Sequence, residues 1–115
     1  MTDFNAMTRD QIGDFLYSVS GEMDSLRFDG VIPKPWDVWV DDAGQAVAVV
    51  DPDDRELMML YVLTKARGKC AGKRLITDLL AEYKYLKGQS TRASMPFYAA
   101  LGFKVFPDGS FGGTL

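Results

Sequence analysis

At 115 residues, with 47% apolar and 25% charged side chains and a formal net charge of −3, the chain has the makeup of one soluble globular domain spanning residues 1–115. It has no histidine and a single cysteine, which excludes Ser–His and Cys–His catalysis, most zinc sites and any internal disulfide. Net acidity argues against a nucleic-acid partner, and no apolar run approaches the ~20 residues that span a bilayer. No basic, apolar leader opens the chain, so a cytoplasmic location is expected.

In chain order, Asp3 to Met7 reads as a short edge strand. Thr8 then stands as an N-cap with Gln11 three residues on, the pattern of a capping box. Ile12, Phe15, Leu16 and Val19 follow at i, i+3, i+4 and i+7, which predicts a helix over 9–19. A second short helix is expected from Glu22 to Phe28, before a Gly/Pro-punctuated loop ending at Pro35. Trp36–Val40 and Gln45–Val50 have strand composition and flank the turn Asp41-Asp42-Ala43-Gly44, giving a hairpin. Asp51-Pro52-Asp53-Asp54 turns the chain again into a third strand.

That third strand begins the most informative stretch. Leu57 to Leu63 is seven apolar residues in a row, too short for an ordinary helix and consistent with a strand buried on both faces. From about Ala71 to Tyr83, Leu75, Ile76, Leu79, Leu80 and Tyr83 form the apolar stripe of an amphipathic helix. Between them lies a loop with Gly68 and Gly72 among Lys65, Arg67, Lys69, Lys73 and Arg74, a local reversal of the chain's acidity. A strand, a Gly-containing basic loop and a helix N-terminus are together suited to hold phosphate, because the first N–H groups of a helix lack internal partners and carry the positive end of its dipole. A solvated basic loop would carry the same composition.

The spacing of L-Y-V-L-T-K-A-R-G-K-C-A-G-K-R-L resembles the acetyl-CoA-binding segment of the GNAT superfamily of N-acetyltransferases, L-x-V-x-P-x-x-R-G-x-G-x-G-x-x-L. Leu60, Val62, Arg67, Gly68, Gly72 and Leu75 match; Thr64 replaces a common proline and Cys70 a usual glycine. Further on, Ser94 to Leu101 reads as a short helix with Pro96 in its first turn and Gly102 just past its end. There T-R-A-S-M-P-F-Y-A-A-L-G-F resembles that family's N-x-x-A-x-x-F-Y-x-x-x-G-F, with Thr91 for asparagine and Ser94 for alanine. Phe103–Phe106 and Ser110–Leu115 look like closing strands around Pro107-Asp108-Gly109.

The resemblance implies an α/β (α+β) fold, a mixed and mostly antiparallel sheet flanked by helices, with a shortened C-terminal half. Only a very short strand, within 84–89, fits between the two later helices. It also implies acetyl-CoA as cosubstrate, no metal, and direct transfer to an amine, either a small molecule or a protein; a homodimer is compatible with it. Backbone groups of Leu60 and Val62 would pair with the pantetheine arm. Arg67, Gly68, Lys69, Cys70, Ala71, Gly72 and Lys73 would surround the pyrophosphate, where the Cβ of Cys70 could crowd it.

Tyr98 stands at the family's position for protonating the departing thiolate, although an aromatic beside Phe97 and Phe103 also reads as core. For the proton acceptor Glu56 is best placed, with Asp53 and Asp54 as alternatives, and the same acidic turn could instead attract a cationic acceptor. Cys70 reads either as a thiol activated by a helix N-terminus or as a small packing residue. Two rival readings keep the fold without the chemistry: a catalytically inactive binding or inhibitory protein, and an assembly module.

Overall fold

The computed structural model describes residues 3–19 and 30–114. A sheet of six strands runs in the order β1-β2-β3-β4-β6-β5, and every neighbouring pair is antiparallel except β3 and β4. The strands are β1 (Asp37–Val40), β2 (Ala46–Asp51), β3 (Glu56–Val62), β4 (Leu86–Gln89), β5 (Lys104–Val105) and β6 (Ser110–Gly113). Helices α1 (Arg9–Ser18), α2 (Ala71–Tyr83) and α3 (Met95–Ala100) complete the mixed α/β fold that the sequence implies. The expected helix at 22–28 lies outside the described residues.

The predicted capping box opens α1: Thr8 Oγ1 accepts from the Gln11 N–H and Gln11 Oε1 accepts from the Thr8 N–H. The α1 helix lies on one face of the sheet, where Ile12 and Leu16 join Val47, Val49, Met59, Tyr61 and Leu63. On the other face α2 buries Leu75, Ile76, Leu79 and Leu80 against Ala46, Ala48, Val50 and Leu57. The apolar stripe of α2 and the interior position of β3 are both as expected.

Asp3 to Met7 is not an edge strand. Phe4–Ala6 forms a single 3₁₀ turn, because the Asp3 carboxylate captures the Asn5 N–H locally. The segment's remaining polar groups go to the β1–β2 turn: the Phe4 N–H donates to the Gly44 carbonyl, and the Asn5 amide to the carbonyls of Asp41 and Asp42. Gly44 permits this seating, since a Cβ there would lie 1.8 Å from an Asp3 carboxylate oxygen. As a result β1 has no strand on its outer side among the described residues.

The strand expected between the later helices is β4, four residues long. Its pairing with β3 covers only Glu56↔Lys87 and Leu57↔Gly88. Beyond Leu57 the two strands part, and their separation opens a cleft.

Candidate active site

The cleft encloses about 610 Å³ between β3, the loop after it, the start of α2, and α3. Leu57 to Val62 form one wall; Thr91, Ser94, Phe97 and Tyr98 form the other; Arg67, Gly68 and Cys70 to Lys73 close one end. The hydrogen-bond register of β3 determines what its wall offers. The Leu63 N–H donates to the Gln45 carbonyl at 2.9 Å, which makes Val62↔Ala46 a non-hydrogen-bonded pair. By alternation Leu60 and Val62 turn their N–H and C=O groups away from β2, to the side from which β4 has parted.

At the closed end, the first intrahelical bond of α2 runs from the Arg74 N–H to the Cys70 carbonyl at 3.0 Å. The N–H groups of Ala71, Gly72 and Lys73 precede it, and no side chain caps them. Gly72 brings the helix close to its neighbours: an added Cβ would meet Val62 Cγ2 at 3.3 Å and Phe97 Cζ at 3.4 Å. Cys70 is exposed and adopts the left-handed conformation at φ 65°. Two arginines are used to build the loop. Arg67 Nε donates to the Val62 carbonyl at 3.0 Å with its guanidinium over the Tyr61 ring, and Arg74 donates to the Lys69 carbonyl at 3.0 Å. Lys73 is exposed and lines the cleft, whereas Lys69 is exposed in the loop outside the cleft lining.

Tyr98 is buried between aromatic rings, stacked on Phe111 at 4.0 Å and edge-on to Phe97 and Phe103. Among the described residues the only buried side-chain polar atom without a partner is Arg9 Nε. The Tyr98 hydroxyl makes no hydrogen bond there, so it keeps contact with the cleft it lines. Burial holds its acidity well below that of a free phenol, raising the pKa. It is therefore protonated throughout the neutral range.

A family model described as an acetyltransferase (GNAT) domain matches residues 34–105. The chain belongs to this family. A search among curated proteins returns no match. The match covers the hairpin, the parted strands, the loop and α3, so the cleft is that of a GNAT acetyltransferase domain.

Within this GNAT domain, Leu60, Val62, Arg67, Gly68, Cys70, Ala71, Gly72, Lys73 and Tyr98 all border one cleft. Glu56 is placed differently. It pairs with Asp51 across β2 and with Lys87 across β4, at the start of β3 and one residue before the cleft wall begins. Its side of the sheet is that of α1, opposite to Leu57. Asp53 and Asp54 are exposed in the preceding turn. No carboxylate is among the described residues lining the cleft.

The departures Thr91 and Ser94 support each other. The Thr91 Oγ1 accepts from the Ser94 N–H and the Ser94 Oγ from the Thr91 N–H, a reciprocal cap that opens the 3₁₀ turn Arg92–Ser94 leading into α3. The cap thus fixes the chain just before Tyr98, a role the spacing T-x-x-S could have signalled. Two further constellations escaped sequence reasoning. Arg9 clasps the loop that leads into β1, donating to the carbonyls of Trp36 at 2.7 Å, Pro33 at 2.6 Å and Ile32 at 3.3 Å. Tyr83 accepts from Trp39 Nε1 at 2.9 Å and donates to Asp37, and its pKa is pushed up to about 12 by burial and then by the Asp37 bond. Among the described residues no group of side chains is set to hold a metal ion, and no helix is long and apolar enough to cross a membrane.

Proposed function

We propose that this domain transfers the acetyl group of acetyl-CoA directly to an amine. The observation that carries the reading is the opening between β3 and β4, into which Leu60 and Val62 turn main-chain donors and acceptors and which ends at the uncapped amides of α2. An extended amide-containing arm fits the first feature and a pyrophosphate the second. Lys73 adds positive charge in the cleft lining and Lys69 in the loop outside it, and Arg67 and Arg74 hold the loop in shape from behind.

In this mechanism the amine nitrogen attacks the thioester carbonyl carbon, forming the C–N bond. Main-chain N–H groups along the parted strand stabilise the oxyanion. The C–S bond then breaks, and Tyr98 donates its proton to the departing thiolate; the phenol regains a proton from solvent. The amine proton passes to water and on to Glu56, whose position on the α1 side of β3 places it across the sheet from α2. The acceptor is a small-molecule amine or a protein amine.

A second reading, a binding protein on the same fold, is favoured by Cys70 in the phosphate loop and by the lack of a carboxylate among the described cleft residues. Calorimetric titration with acetyl-CoA and CoA, followed by thiol release across a panel of amines, separates the two. Binding with turnover supports transfer; binding without turnover on any amine supports the second reading; no binding of either ligand refutes both uses of the cleft.

A further inference from the structure

Among the described residues the outer edge of β1 pairs with no other strand. The Asp41 N–H donates to the Ala46 carbonyl at 3.1 Å, which makes Val40↔Val47 a non-hydrogen-bonded pair. Val38 and Val40 therefore aim their N–H and C=O groups outward, where no described strand meets them. A hollow of about 590 Å³ runs along this edge and is lined from both faces of the sheet. An unpaired strand edge is a template for one shape of ligand, an extended main chain.

The two faces differ in chemistry. On the α1 side, beside Val38 and Val40, the lining includes the apolar Phe4, Met7 and Ile12 together with Asn5, whose amide is bonded to the carbonyls of Asp41 and Asp42. The Arg9 guanidinium on that side is directed at three loop carbonyls. On the α2 side, beside Asp37 and Trp39, the lining carries the carboxylates of Asp37 and Glu82 and the rings of Trp39 and Tyr83. Carboxylates next to aromatic rings favour a cation. We propose that the β1 edge takes, as an added strand, an extended peptide segment in which basic and apolar residues alternate. Its basic side chains lie on the α2 face near Asp37 and Glu82, and its apolar ones on the α1 face. A second copy pairing through the same edge about a two-fold axis at Trp39 would set Asp37 against the other copy's Asp41, so charge favours the basic peptide.

The probe is a blocked peptide of alternating lysine and valine, about six residues long, which spans the edge with one residue to spare at each end. Amide hydrogen exchange reads the pairing directly. In its presence the Val38 and Val40 amides should exchange at least about tenfold more slowly, while Trp39, already bonded to β2, is unchanged. Glu82 is exposed, so Glu82→Lys leaves the fold intact and should weaken the peptide about fivefold. The matching glutamate–valine peptide should give no protection. Equal protection by both peptides, no protection by either, or protection that rises with protein concentration alone would overturn the proposal.

Discussion

Replacing Tyr98 with phenylalanine isolates a single hydroxyl. The ring is held by Phe111 stacked at 4.0 Å and by edge contacts to Phe97 and Phe103, and all of these survive the change. The hydroxyl has no protein partner to orphan, so the variant should keep its stability within about 0.5 kcal/mol. Truncation to alanine removes the ring itself and should cost about 3–5 kcal/mol, a large share of a small domain's stability. If Tyr98 protonates the leaving thiolate, Tyr98→Phe should lower kcat by about 10²–10⁴ with acetyl-CoA affinity unchanged. The assay is thiol release from acetyl-CoA at saturating amine, with both proteins matched for folded concentration by near-ultraviolet circular dichroism. A variant as active as the parent would refute the role and leave Tyr98 as a core aromatic. Because burial raises its pKa, the parent's activity should show no loss assignable to this phenol below about pH 10.

The other predictions concern the frame around the cleft. Cys70→Gly removes the Cβ that would crowd a pyrophosphate in the loop, so coenzyme A should bind more tightly by about 1 kcal/mol in calorimetry; unchanged affinity would show that the loop accommodates the side chain. Arg9→Met abandons three loop carbonyls and should lower unfolding free energy by about 3 kcal/mol in urea titrations. The Tyr83 pKa is raised from 10.0 to about 12 on folding, so its contribution is complete below about pH 10 and is lost as pH climbs through 12. Urea midpoints of the parent should therefore fall more steeply over that interval than those of Tyr83→Phe.

Much of the frame was legible because it is written locally. The stripe from Leu75 to Tyr83 marks α2, and Thr8 with Gln11 marks the start of α1, since each signal and its partner lie within one or two turns. The short strand within 84–89 is expected because the family resemblance implies a strand between the two helices and the spacing leaves it little room. The first segment misled because strand composition at Phe4 was outweighed by one carboxylate bonding two residues on, and by a turn forty residues away that accepts its N–H. The same reason hides the Arg9 clasp and the Asp37–Tyr83–Trp39 chain, whose members are joined only by the folded sheet. At the site, motif spacing located the loop and Tyr98. It could not tell which face of β3 carries Glu56, because a run of uniform apolarity has no visible alternation.

One residue explains that blindness. Val49 pairs with Met59 and Val50 with Leu57, so Met58 is left without a partner as an extra residue in β3. The extra residue inverts the phase of the strand. Leu57 belongs to the core beneath α2, yet Met59, two residues on, belongs to the core beneath α1 with Tyr61 and Leu63. Counting by twos from either end therefore gives the wrong side past the middle. Removing Met58 alone would restore plain alternation and leave every other residue of β3 on the face it now occupies, whereas removing Leu60 or Tyr61 would turn part of the strand toward the wrong core. The bulge is thus the one place where β3 can lose a residue and still face both helices as it does now.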